Sequence, residues 1–83
     1  MGRKEKRIDR FRSIPNDFRW DDLCSMLKGF GYEIVEGSGS RRKFYNRATG
    51  KIINLHEPHP KPVVQQYALR QVLAHLKETG DLK

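Results

Sequence analysis

The sequence predicts an α+β fold: a three-stranded antiparallel sheet with helices packed on one face, in the order α-α-β-β-β-α. Three observations carry that expectation. Two stretches repeat apolar residues at the i, i+3, i+4, i+7 spacing of a helix face. Between them the apolar period switches to two, as it does in strands whose alternate side chains point to opposite faces. Within that middle stretch, a short connection closed by glycine makes the second and third strands antiparallel neighbours.

The elements follow in chain order. Residues 3–13 space Ile8 and Phe11 by three among charged side chains. This predicts a short amphipathic helix that stops before Pro15, because the residue preceding proline avoids helical angles. A solvated basic arm over residues 1–14 is the competing reading, with a single domain over residues 15–83. Residues 20–30 form the first stripe, with Leu23, Met26, Leu27 and Phe30 on one face. Asp21 and Asp22 favour its positive end, and Gly31 suits a left-handed stop.

Strands are expected at residues 32–36, 42–46 and 51–56, joined by the Gly37-Ser38-Gly39-Ser40 loop and a hairpin loop at 47–50. Phe44 would point inward and Lys43 and Tyr45 outward, while in the third strand Ile53 and Leu55 share one face and Ile52, Asn54 and His56 the other. The hairpin sets Arg42 opposite Leu55 and Arg41 opposite His56, or one residue out of that register, with His56 near the Arg41-Arg42 pair either way. A proline-rich turn follows, and Pro62 suits the opening of the last helix. There Leu69, Val72, Leu73 and Leu76 repeat the stripe as far as Gly80.

Charge narrows the partners. Seventeen Lys and Arg oppose ten Asp and Glu, giving net +7 and a pI near 9.9. Residues 41–51 hold five bases and no acid, whereas residues 20–40 hold Lys28 against four acids. A concentrated cationic stretch fits a phosphate-bearing ligand. The longest apolar runs are three residues, far below the ~20 that span a bilayer. The basic start lacks the apolar stretch of a secretory signal. One cysteine forms no internal disulfide and suits a reducing, cytoplasmic setting. No membrane partner, metal or small-molecule cofactor is expected. Cys24, His56, His59 and His75 lack the spacing of a zinc site. The Gly-Ser loop lacks the lysine-serine pair of a nucleotide-binding fingerprint.

The residues that stand out for chemistry are Arg41, Arg42 and Lys43 beside His56 and His59. Histidine titrates near neutral pH and can take the proton of a ribose 2′-hydroxyl, while cations hold the charge that develops on phosphorus. On this reading His56, His59 and Arg41 are the catalytic candidates. Ser40, Arg42, Lys43, Tyr45, Arg47 and Lys51 are the RNA-binding candidates. The plain alternative makes His56 a solvated strand end and His59 a turn residue.

The run GYEIVEGSGSRRKFYNRATGKIINLHEPHP, followed by YALRQVLAHLKETG, resembles the HicA family of prokaryotic toxin–antitoxin modules over about residues 14–80. The resemblance rests on the glycine-tyrosine stop, the Gly-Ser loop, the His-Pro dipeptide and the leucine-rich last helix. It implies a fold like the double-stranded RNA-binding domain and an endoribonuclease acting on mRNA, held inactive by a HicB-type antitoxin. The family pattern commonly has a catalytic histidine directly after the Gly-Ser loop, and here that place holds Arg41. Arginine stays protonated and is a poor general base. Three functions are therefore weighed: a metal-independent mRNA interferase, a non-catalytic RNA-binding module using the same surface, and a protein-interaction domain whose basic face meets an acidic partner.

Overall fold

The computed structural model describes residues 3–82, so positions 1, 2 and 83 of the two expected segments lie outside it. Three helices and three strands follow the expected order: α1 (Arg3–Arg12), α2 (Trp20–Gly29), β1 (Tyr32–Glu36), β2 (Arg41–Asn46), β3 (Ile52–His56) and α3 (Gln66–Thr79). The strands form one antiparallel sheet in the order β1-β2-β3.

The first ten of these residues form a helix rather than a solvated arm, because one apolar residue anchors them. Phe11 is fully buried and its ring meets that of Phe18 at 5.9 Å. Arg10 pairs with Asp17 and lies over the Phe18 ring, 5.6 Å from its centroid. A cation over an aromatic face adds attraction to that packing.

In α2 the stripe buries Leu23, Met26 and Leu27 beside Trp20, while Asp21 and Asp22 occupy the first turn. The helix ends where the Phe30 N–H reaches the carbonyls of Met26 and Leu27. Gly31 then turns the chain at φ 98°, a left-handed angle that glycine adopts without penalty. The turn delivers Tyr32 to the core at the start of β1.

The sheet buries Phe44, Ile53 and Leu55 against the helices, and Trp20 meets Phe44 edge-on at 5.7 Å. Their partners in the core are Leu69, Val72 and Leu76 of α3. The turn end of the β2–β3 hairpin is fastened by Asn46, which is 3% exposed. Its side chain donates to the Phe30 carbonyl and accepts from the Ala48 and Thr49 N–H groups. A buried amide satisfied in this way holds a turn closed.

The start of the last helix differs from expectation. Pro62 does not open it; α3 begins at Gln66. The preceding residues are drawn instead into a bridge with the chain entering α2. Trp20 N–H donates to the Pro62 carbonyl at 2.9 Å, and Val64 N–H to the Phe18 carbonyl at 2.7 Å. That pairing keeps Val64 in the core, whereas a helix opening at Pro62 would commit the Pro62 carbonyl to its own ladder. Gly80 ends the helix in a left-handed conformation, and Leu82 N–H returns to the Leu76 carbonyl at 3.0 Å.

Candidate nucleic-acid interface

Strand register decides which basic residues share a surface. Arg41 pairs with His56, Arg42 with Leu55, Lys43 with Asn54, Phe44 with Ile53 and Tyr45 with Ile52. This is the pairing read from the hairpin loop. Alternation then sends Arg41, Lys43, Asn54 and His56 to the face away from the helices. Arg41 and His56 are direct cross-strand neighbours, whose Cβ atoms stand ~5 Å apart in such pairs. Lys43 follows Arg41 on the same face, ~7 Å further along the strand.

The pairing continues one step past the strand ends, where Glu57 N–H donates to the Ser40 carbonyl at 2.8 Å. This brings the Ser40 hydroxyl oxygen to 3.4 Å from His56 Nδ1. The contact orients the ring and leaves Nε2 as the nitrogen open to a ligand. In the β1–β2 turn Gly37 packs closely against Arg41. A Cβ placed there would meet the Arg41 Cβ at 3.2 Å. Gly37, Ser38, Arg41, Lys43, Asn54 and His56 line an open groove of about 450 Å³.

The cations are not equivalent. Arg42 points to the helix side, where its Nε donates to Glu57 at 3.2 Å. Its Nη1 donates to the carbonyls of Gly39 and Arg41 at 2.8 and 2.7 Å. It therefore straps the Gly-Ser loop to the residue after β3. Arg47 donates to Glu33 at 3.0 Å across the sheet. Among the described residues, the side chains of Arg41, Lys43 and Lys51 make no ion pair or hydrogen bond. Lys51 and Arg47 sit at the turn end of the hairpin, and only Arg41 and Lys43 are free cations on the groove.

The other candidates separate. His59 is exposed in a second groove of about 190 Å³, which also holds His56, Pro58, Val64 and Tyr67. His56 thus lines both grooves, and His59 only the one without arginine or lysine. Tyr45 is half-buried beside Ile52 on the open sheet face. Cys24 is half-buried on α2, and burial pushes its thiol up to about 11, so it is not an activated nucleophile. His75 packs its ring edge-on against Tyr32 at 6.3 Å. Burial, together with the adjacent Asp81 carboxylate, raises the Tyr32 hydroxyl above its ordinary pKa.

Sequence reasoning missed Glu57, Asn54 and Tyr67. Extending the hairpin pairing by one residue would have placed Glu57 beside the loop. The parity of β3 put Asn54 on one face with His56 without showing that it lined a groove.

Residues 20–80 match the family described as HicA toxin of bacterial toxin–antitoxin. That stretch includes the sheet, α2, α3 and both grooves. The chain belongs to the HicA family. Membership makes it a toxin-type component of a toxin–antitoxin module, with an antitoxin as counterpart. No curated protein and no solved structure matches it. Among the described residues, no helix of this HicA chain is long and apolar enough to cross a membrane.

Proposed function

We propose that this chain is the RNA-binding toxin of its module: a metal-independent endoribonuclease that cuts mRNA in the cytoplasm and is neutralised by a HicB-type antitoxin. One observation carries the reading. An exposed imidazole stands directly across from an unpaired guanidinium, oriented by a serine hydroxyl, on the wall of a cationic groove.

The chemistry needs few parts. The 2′-hydroxyl attacks the adjacent phosphorus, the bond from phosphorus to the 5′-oxygen breaks, and a cyclic phosphate remains. His56 Nε2 takes the 2′-hydroxyl proton, and the 5′-oxygen leaves with a proton from water or from the imidazolium. Arg41 faces the charge that grows on the phosphoryl oxygens. Lys43 takes a neighbouring phosphate, and Ser40 holds the imidazole in line. Arg42 serves by fastening the loop that carries Ser40 and Arg41.

Purified protein incubated with mixed RNA in EDTA tests the proposal. Wild type is expected to fragment the RNA, with the loss of cleavage in His56→Ala and Arg41→Ala. RNA left intact at every wild-type concentration overturns cleavage. The second reading, binding without cutting, is favoured by the position of His59 outside the cationic groove, which leaves one imidazole there. Under it the His56→Ala, His59→Ala double variant still binds RNA, and wild type leaves it whole.

A further inference from the structure

The two grooves that meet at His56 divide their chemistry. The first presents the free cations Arg41 and Lys43 and no tyrosine, phenylalanine or tryptophan. The second presents Tyr67, Pro58, Val64 and Ala68, with His59 and Gln65 at its edge and no lysine or arginine. A nucleotide has the same division, with a charged phosphate at one end and a flat, apolar-faced base at the other.

Tyr67 is the observation that fold stability does not explain. It is 66% exposed, against 48% for Val35 and 43% for Ile52, the other exposed large apolar side chains among the described residues. It stands in the first turn of α3, and among the described residues its ring meets no aromatic partner and its hydroxyl makes no hydrogen bond. The one acid in this groove, Glu57, is paired with Arg42, so its charge does not oppose an approaching nucleotide.

We propose that the groove between His59 and Tyr67 is a nucleobase subsite. A base unstacked from single-stranded RNA lies on the Tyr67 ring while a flanking phosphate sits at Arg41 and Lys43. This rests on the RNA-binding reading above and adds to it a preference for unpaired RNA and a position at which the base is sensed. Proteins read single strands in this manner, stacking splayed bases on aromatic side chains and addressing their edges with polar groups. His59 and Gln65 are the edge-reading groups, which gives His59 a part in base selection.

The test uses a fluorescein-labelled 2′-O-methyl oligoribonucleotide, which cannot undergo 2′-attack, so the wild-type chain binds without cutting. A companion set carries one abasic nucleotide at each position in turn. Tyr67→Ala is expected to weaken binding about tenfold, while Tyr67→Phe, which keeps the ring, binds like wild type. One abasic position should produce a similar loss in wild type and none in Tyr67→Ala. A duplex of the same sequence should not distinguish Tyr67→Ala from wild type.

Undiminished single-strand binding by Tyr67→Ala, or an equal abasic penalty in both proteins, overturns the subsite. If that occurs while Arg41→Ala with Lys43→Ala still weakens binding, the RNA reading stands and only the subsite falls. If wild type fails to bind the intact oligonucleotide at low salt, the RNA reading fails and takes the subsite with it. Loss of antitoxin binding by Tyr67→Ala, with RNA binding unchanged, makes the groove a protein contact and also overturns the proposal.

Discussion

The two ends of the β2–β3 hairpin carry similar numbers of basic residues and hold them in opposite ways. At the turn end, Arg47 is paired with Glu33, and Asn46 closes the loop with a satisfied buried side chain. At the open end, Arg42 is spent on the Gly-Ser loop, while Arg41 and Lys43 stay free beside His56. Counting cations along the sequence therefore overstates the binding surface. What matters is which of them still lack a partner once the strands have paired.

The largest expected effect removes the turn end itself. Asn46→Ala deletes three hydrogen bonds at a buried position and should lower stability by ~2–3 kcal/mol, read by chemical denaturation. A loss below ~1 kcal/mol would show that the turn closes without the amide. Next comes the contrast in charge. Arg41→Ala with Lys43→Ala should lower the slope of log affinity against log salt by ~1.4 for single-stranded RNA. Arg47→Ala with Lys51→Ala should lower it by less than half as much, and equal changes would erase the distinction between the two ends.

A smaller effect sharpens the role of the strap. Arg42→Ala should reduce stability by only ~1 kcal/mol, because its partner is partly solvated. It should nonetheless impair cleavage well beyond that by releasing Ser40 and Arg41, and activity equal to wild type would contradict the strap. The smallest effect concerns Cys24, whose pKa is raised from 9.0 to about 11 by burial. The folded state favours the protonated thiol, so this contribution to stability is present below pH 9 and is lost as pH rises from 9 towards 11. Iodoacetamide labelling of the folded protein should still climb about tenfold per pH unit beyond pH 9. Labelling that levels off at about pH 10 would show an unshifted thiol.

The sheet was legible because its period and its loop length leave little freedom. The connection at 47–50 confines the register to within one residue, so the nearness of His56 to the Arg41-Arg42 pair followed from the sequence, and the fold selects the register that sets Arg41 opposite His56. The opening of α3 was not legible. Pro62 suits a first helical turn, but the chain entering α2 takes its carbonyl and the Val64 N–H instead. The pairing of cations was hidden for a related reason. Glu33 and Glu57 lie far from Arg47 and Arg42 in sequence and meet them only across the folded sheet. Tyr67 was hidden because the second residue of a helix reads as part of its amphipathic pattern, and only the fold shows that its ring is left outside.

The core reaches beyond the stretch that defines the family. Phe11, Phe18 and Leu82 are all buried, and all lie outside residues 20–80. Phe11 lies on α1, so removing that helix would uncover apolar surface beside α2. A chain trimmed to the family stretch should melt less cooperatively and bind a hydrophobic dye, and a sharp, dye-free melt would refute this. The boundary of the family signature and the boundary of the folding unit are different lines, and the second is the one that keeps the sheet rigid enough to present its two grooves.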